Sequence, residues 1–180
     1  MRRILGDSAP DTLTLIPDAL LKKGAAPFLT YYTAGSVITF ILACGDDCTL
    51  CRLDTASGAF QSLALGSSLF AIQPFGESET VIIRAGQNSK EATVFDWNSG
   101  SERPLATLPR DAVSIAWDPV GGALYYLSEG TLYKYLPEGS EKLIEGLPLW
   151  TDQRAFILEG GQLVTLYSDL EEELLVIDLP

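Results

Sequence analysis

The chain of 180 residues carries 24 Asp and Glu against 12 Lys and Arg, a formal net charge of −12, and no histidine. This charge repels nucleic-acid phosphates and anionic membrane surfaces, so neither is an expected partner. The missing imidazole excludes Ser–His and Cys–His nucleophile pairs, while an apolar content of 47% is ample for a folded core.

Residues 1–27 read as an N-terminal arm. Thr12–Ile16 (TLTLI) has the composition of a strand, and Pro17–Lys23 suits one short helical turn ended by Gly24. Met1–Leu5 is too short for a signal peptide, and the run Leu13–Ile16 is bounded by Pro10 and Pro17. A soluble chain is expected, with its compartment open: an extracytoplasmic domain of a longer protein would read the same way. Ala25–Cys44 is uncharged and about as long as a membrane span. Pro27, the polar cluster Thr30–Thr33, the break at Gly35-Ser36 and the β-branched run Val37–Leu42 favour two strands of a sheet instead.

From residue 28 the chain repeats itself. Apolar runs come in fours, in segments of approximately 28–66, 67–108, 109–147 and 148–180. The clearest copy is Val113–Leu147, whose runs are parted by Asp-Pro, Gly-Gly, Glu-Gly and Pro-Glu-Gly-Ser. Second runs are mostly the most apolar. Third runs alternate, as in Leu132-Tyr133-Lys134-Tyr135 and Val94-Phe95-Asp96-Trp97, the period of a half-buried strand. Asp54–Gly58, Asn98–Gly100 and Pro137–Gly139 sit between third and fourth runs, as hairpin turns do. Equivalent positions such as Leu53, Trp97 and Tyr135 recur at about the spacing of propeller blades. A sheet that is apolar on both faces is buried by stacking on its neighbours. The predicted fold is therefore all-β, a β-propeller of about four four-stranded antiparallel blades over 28–180. The arm, through Thr12–Ile16, is expected to supply a strand that closes the ring on the last blade; the alternative is half of a larger ring, closed by a partner chain or by further sequence.

Ala116-Trp117-Asp118-Pro119-Val120-Gly121-Gly122, then Leu124–Leu127, then Thr131–Tyr135, resembles the blade repeat of TolB-type β-propellers. That family repeats a Trp-Ser-Pro-Asp-Gly-like turn, an apolar strand and a strand with Leu-Tyr. Asp118 stands where serine is usual and Val120 where aspartate is usual. Pro74-Phe75-Gly76 and Ala34-Gly35-Ser36 are degenerate versions. The resemblance spans about 35 residues well and implies the fold rather than an activity. Members of the family are generally interaction platforms, some with enzymatic domains fused elsewhere.

The sharpest local motif is Cys44-Gly45-Asp46-Asp47-Cys48-Thr49-Leu50-Cys51. Its CxxxCxxC spacing resembles the iron–sulfur cluster site of radical SAM enzymes, but the αβ repeats of that family are absent. With Gly45–Asp47 as a hairpin loop, Cys44 and Cys48 would face each other across it, either as thiols or as a disulfide, and Cys51 would fall on the opposite face as a small core residue. No cofactor and no metal is expected. Asp46-Asp47 and Glu171-Glu172-Glu173 read as solvated turns rather than calcium ligands. The Trp and Tyr residues read as packing between blades, and Gly121-Gly122 and Gly160-Gly161 as hairpin turns rather than phosphate loops.

The expected function is a non-catalytic interaction or scaffold module that binds a protein partner or assembles with itself. One alternative is a hydrolase or a sugar or peptide binder at the propeller axis. Its candidate binding residues by blade position are Asp118, Glu129, Trp150 and Asp152, and two acids lining one pocket would be needed for catalysis. Another is a structural part of a secretion or phage-tail assembly.

Overall fold

The computed structural model describes residues 26–44, 47–66, 68–149, 151–158, 161–169 and 171–179, and every regular element among them is a β-strand. The arm, with its expected closing strand Thr12–Ile16 and helical turn, lies outside the described residues, as does Trp150. The chain divides into two compact units, Met1–Ser67 and Ser68–Pro180.

The first unit holds one antiparallel sheet in sequential order: β1 (Ala26–Ala34), β2 (Val37–Cys44), β3 (Asp47–Asp54) and β4 (Phe60–Gly66). The uncharged stretch Ala25–Cys44 is thus a hairpin. It turns at Gly35, whose φ of 59° suits glycine because no Cβ is present to clash. Among the described residues no helix is long and apolar enough to cross a membrane. The consecutive buried pairs Ile41-Leu42 and Leu50-Cys51 place apolar side chains on both faces of this sheet.

The cysteine hairpin differs from its expected register. Asp47 already belongs to β3, so only two residues separate the strands; Cys44 is paired with Asp47 and Cys48 with Ala43. One residue fewer in the loop moves Cys48 one rung along, and the backbone no longer sets it opposite Cys44 as a cross-strand disulfide requires. Cys48 and Cys51 are present as thiols. Cys51 is fully buried, in the role of a small core residue.

The second unit opens with a sheet of β5 (Leu69–Pro74), β6 (Glu79–Ala85), β7 (Ser89–Asp96) and β8 (Ser101–Pro109). The next blade is β9 (Val113–Asp118), β10 (Ala123–Ser128), β11 (Thr131–Leu136) and β12 (Gly139–Ile144). The last has three strands among the described residues: β13 (Thr151–Leu158), β14 (Gln162–Asp169) and β15 (Glu171–Asp178). Four runs were expected there. The first two, broken in sequence between Asp152 and Arg154, form one continuous strand that absorbs the break as a register shift between Thr151 and Ala155. Glu171–Glu173 open strand β15 instead of forming a turn. A single parallel bridge, Arg154 with Ile115, joins β13 to β9, so these two blades form one seven-stranded sheet in the order β12-β11-β10-β9-β13-β14-β15.

The alternation of side chains along β10 explains how the blades stack. Leu124 and Tyr126 join Val81, Ile83, Val94, Leu108 and Ile115 in one core against the preceding blade. Ala123, Tyr125 and Leu127 face the other way and pack, with Leu132 of their own blade, against Ala155, Leu163 and Ile177 of the following one. A strand buried on both faces has no polar phase, hence the unbroken run Ala-Leu-Tyr-Tyr-Leu. Its neighbour β11 shows partial exposure, as its Lys134 requires.

Candidate functional site

The acids picked from sequence for an axial site do not come together. Asp118 ends β9 and precedes the turn into β10, whereas Glu129 follows β10 at its far end. The six-residue strand between them spans roughly 20 Å. Asp152 lies within β13, with its side chain outside the described set. Glu129 is exposed, and its φ of 48° marks it as the first residue of the tight turn completed by Gly130.

Asp118 is a turn residue. Its carboxylate accepts the amide of Val120 at 2.9 Å, and its carbonyl accepts the amide of Gly122 at 2.9 Å. A Cβ on Gly121 would collide with that carboxylate, so the Gly-Gly pair has a mechanical reason. The same arrangement recurs twice. Asp54 accepts the Ala56 amide at 3.0 Å and the Ser57 and Ser36 hydroxyls at 2.5 and 2.7 Å, with Gly58 closing the turn. Asp96 accepts the Asn98 amide and the Ser99 hydroxyl, with Gly100 closing. The Ser57 hydroxyl, then Ser36, then the Ala56 amide hold the Asp54 carboxyl down at about 2. Asp96 is lowered too, chiefly by the Asn98 amide and then by Ser99. An Asp-x-x-x-Gly spacing at 54/58, 96/100 and 118/122 was the sequence signal for this shared device.

Polar side chains meet where β5, β9, β13 and β14 of the second unit approach one another. Gln73 of β5 donates to the Ala155 carbonyl of β13 at 2.7 Å. Ser114 of β9 and Thr165 of β14, both buried, share a hydrogen bond of 2.8 Å. Ser114 adopts a φ of 48° within a bulge, where Ser114 and Ile115 together oppose Tyr126. These residues lock strands together and leave no pair of carboxylates facing one another at this junction among the described residues.

Between the second and third blades lies an aromatic group. The Phe75 and Trp117 rings stack at 4.5 Å between centroids, with the Arg103 guanidinium 5.0 Å from the Phe75 ring. Trp117 Nε1 is buried without a hydrogen-bond partner. Trp97 meets Phe95 edge-on and donates its indole N–H to Thr80 Oγ1 at 2.8 Å. Tyr126 and Tyr133 stack at 5.2 Å. The Phe75–Trp117 stack joins two blades, as expected of the aromatic residues, whereas Phe95–Trp97 and Tyr126–Tyr133 are contacts within a single blade. Among the described residues no group of three or more His, Cys, Asp or Glu could hold a metal ion.

One surface feature departs from a blade's ordinary polarity. Among the described residues β15 is the outermost strand of its sheet. It buries Ile177 while leaving Leu174 at 68% and Val176 at 50% exposure. The sequence reading took this run as the fourth of its blade and expected the arm strand Thr12–Ile16, which lies outside the described residues, to be added to that blade.

No family model matches the chain, and no curated protein matches it. Solved structures do. It is similar to an oligogalacturonate lyase solved with manganese, at a TM-score of 0.63 and 16% identity over 94% of this chain and 54% of the lyase. TolB from Acinetobacter baumannii matches at 0.59 and 15%, over 79% of this chain and 38% of TolB. The β-propeller domain of the Trilobed protease from Pyrococcus furiosus, described as having an open velcro topology, matches at 0.53 and 17%, over 84% and 57%. The chain thus spans from about four tenths to somewhat more than half of these proteins. At such identities the likeness establishes the fold, a β-propeller, and leaves activity open.

Proposed function

We propose that the chain is a protein-interaction module that engages its partner, or a further copy of itself, through the outer edge of the last blade. The observation that supports this is strand β15, which among the described residues lies at the edge of its sheet and presents Leu174 and Val176 to solvent. An apolar edge with open backbone donors and acceptors is a ready template for another strand. Elsewhere the acids that a hydrolytic reading would use are spent on hairpin turns or stand at opposite ends of a strand.

The test is site-specific photo-crosslinking in the cells that make the protein. A photoreactive residue at Leu174 is expected to give a discrete adduct, and one at the exposed Glu138 of the β11–β12 turn is not. Equal adducts from both positions, or none from Leu174, would refute the reading. The adduct's mass distinguishes a second copy from a different protein.

A further inference from the structure

We draw no further inference here: the strongest candidate, the aromatic margin of Phe75, Trp117, Tyr133 and Tyr135 beside Arg103 at the junction of the second and third blades, packs against the core already described, and nothing in the structure shows what would cover it.

Discussion

Replacing Lys90 with methionine tests how the second and third blades are joined. Lys90 is only 7% exposed, and its ammonium donates to the carbonyls of Arg110 and Ala112 at 2.5 Å each. It also lies 4.2 Å above the Phe70 ring. The three residues at 110–112 form the whole connection from β8 to β9, so one side chain of β7 holds that connection in place. Methionine fills a similar volume without a donor. It relieves the cost of burying a charge but orphans two acceptors, one of them on fully buried Ala112. An unsatisfied buried acceptor costs about 1–3 kcal/mol and the lost ring contact about 0.5–1 kcal/mol more. With the relief subtracted, a net loss of about 2 kcal/mol is expected in urea unfolding, or about 4–8 °C in Tm. The pH dependence supplies a second readout. Burial, the largest influence on Lys90, pushes its pKa below the lysine value of 10.5. The unfolded chain therefore binds this proton at a higher pH than the folded chain does. The charge-burial cost is complete below the folded pKa and disappears as pH rises past 10.5. The stability advantage of the native chain over Lys90→Met should accordingly grow between mildly alkaline pH and pH above 10.5. A variant as stable as the native chain, or an advantage that shrinks with rising pH, would refute the assignment of Lys90 as the clamp.

Ser114 holds a φ of 48° while bonded to Thr165, so Ser114→Gly trades a hydrogen bond for relief of strain and Ser114→Ala loses the bond without relief. Glycine should be more stable than alanine there by about 1 kcal/mol in urea titration, and the reverse order would mean that the bulge is not strained. Asp54 sits at about 2 in the folded chain, so its contribution to stability is present above the ordinary value of 3.8 and is lost as pH falls toward 2. Carboxyl-carbon NMR of Ser57→Ala should show Asp54 titrating closer to 3.8, since the Ser57 hydroxyl is the largest influence; an unmoved titration would assign the effect elsewhere. Trp117→Phe removes a buried N–H that has no partner along with part of the stack on Phe75. The two effects oppose, and thermal unfolding should place the variant within about 1 kcal/mol of the native chain; a loss of several would mean that the indole N–H is satisfied.

Blade identity was legible in sequence because it is a local property. A run such as Ala123–Ser128 can be apolar throughout only if both faces are covered, and stacked sheets cover both. The TolB-like turn at Trp117–Gly122 was legible for the same reason: the Asp118 carboxylate, the Val120 amide and Gly122 lie within five residues. What could not be read depended on counting. One residue in the Cys44–Cys48 loop changes which cysteine opposes which. One merged break turns two expected strands into β13 and makes β15 the third strand of its blade instead of the fourth among the described residues. Contacts distant in sequence, such as Gln73 with Ala155 and Ser114 with Thr165, left no local trace, because a buried glutamine or serine has the same letter as an exposed one. The candidate acids failed for a related reason. Blade position predicts where along the repeat a residue falls, but Asp118 and Glu129 occupy opposite ends of one strand and so face different rims.

The polar contacts and the apolar ones divide the work of specifying this fold. The two interblade cores are built from similar sets of Ala, Leu, Ile, Val and Tyr, so apolar complementarity alone would tolerate several offsets of one blade against the next. The buried hydrogen bonds do not tolerate them. Sliding β13 by one residue would put Gln73 opposite the amide of a neighbouring residue, and would separate Ser114 from Thr165 on the strand that follows. Each slip would leave buried donors or acceptors unpaired at about 1–3 kcal/mol apiece, comparable with a sizeable share of a small domain's net stability. Lys90 does the same for the connection between the second and third blades. The apolar surfaces supply most of the driving force for stacking, and these few polar side chains fix the offsets.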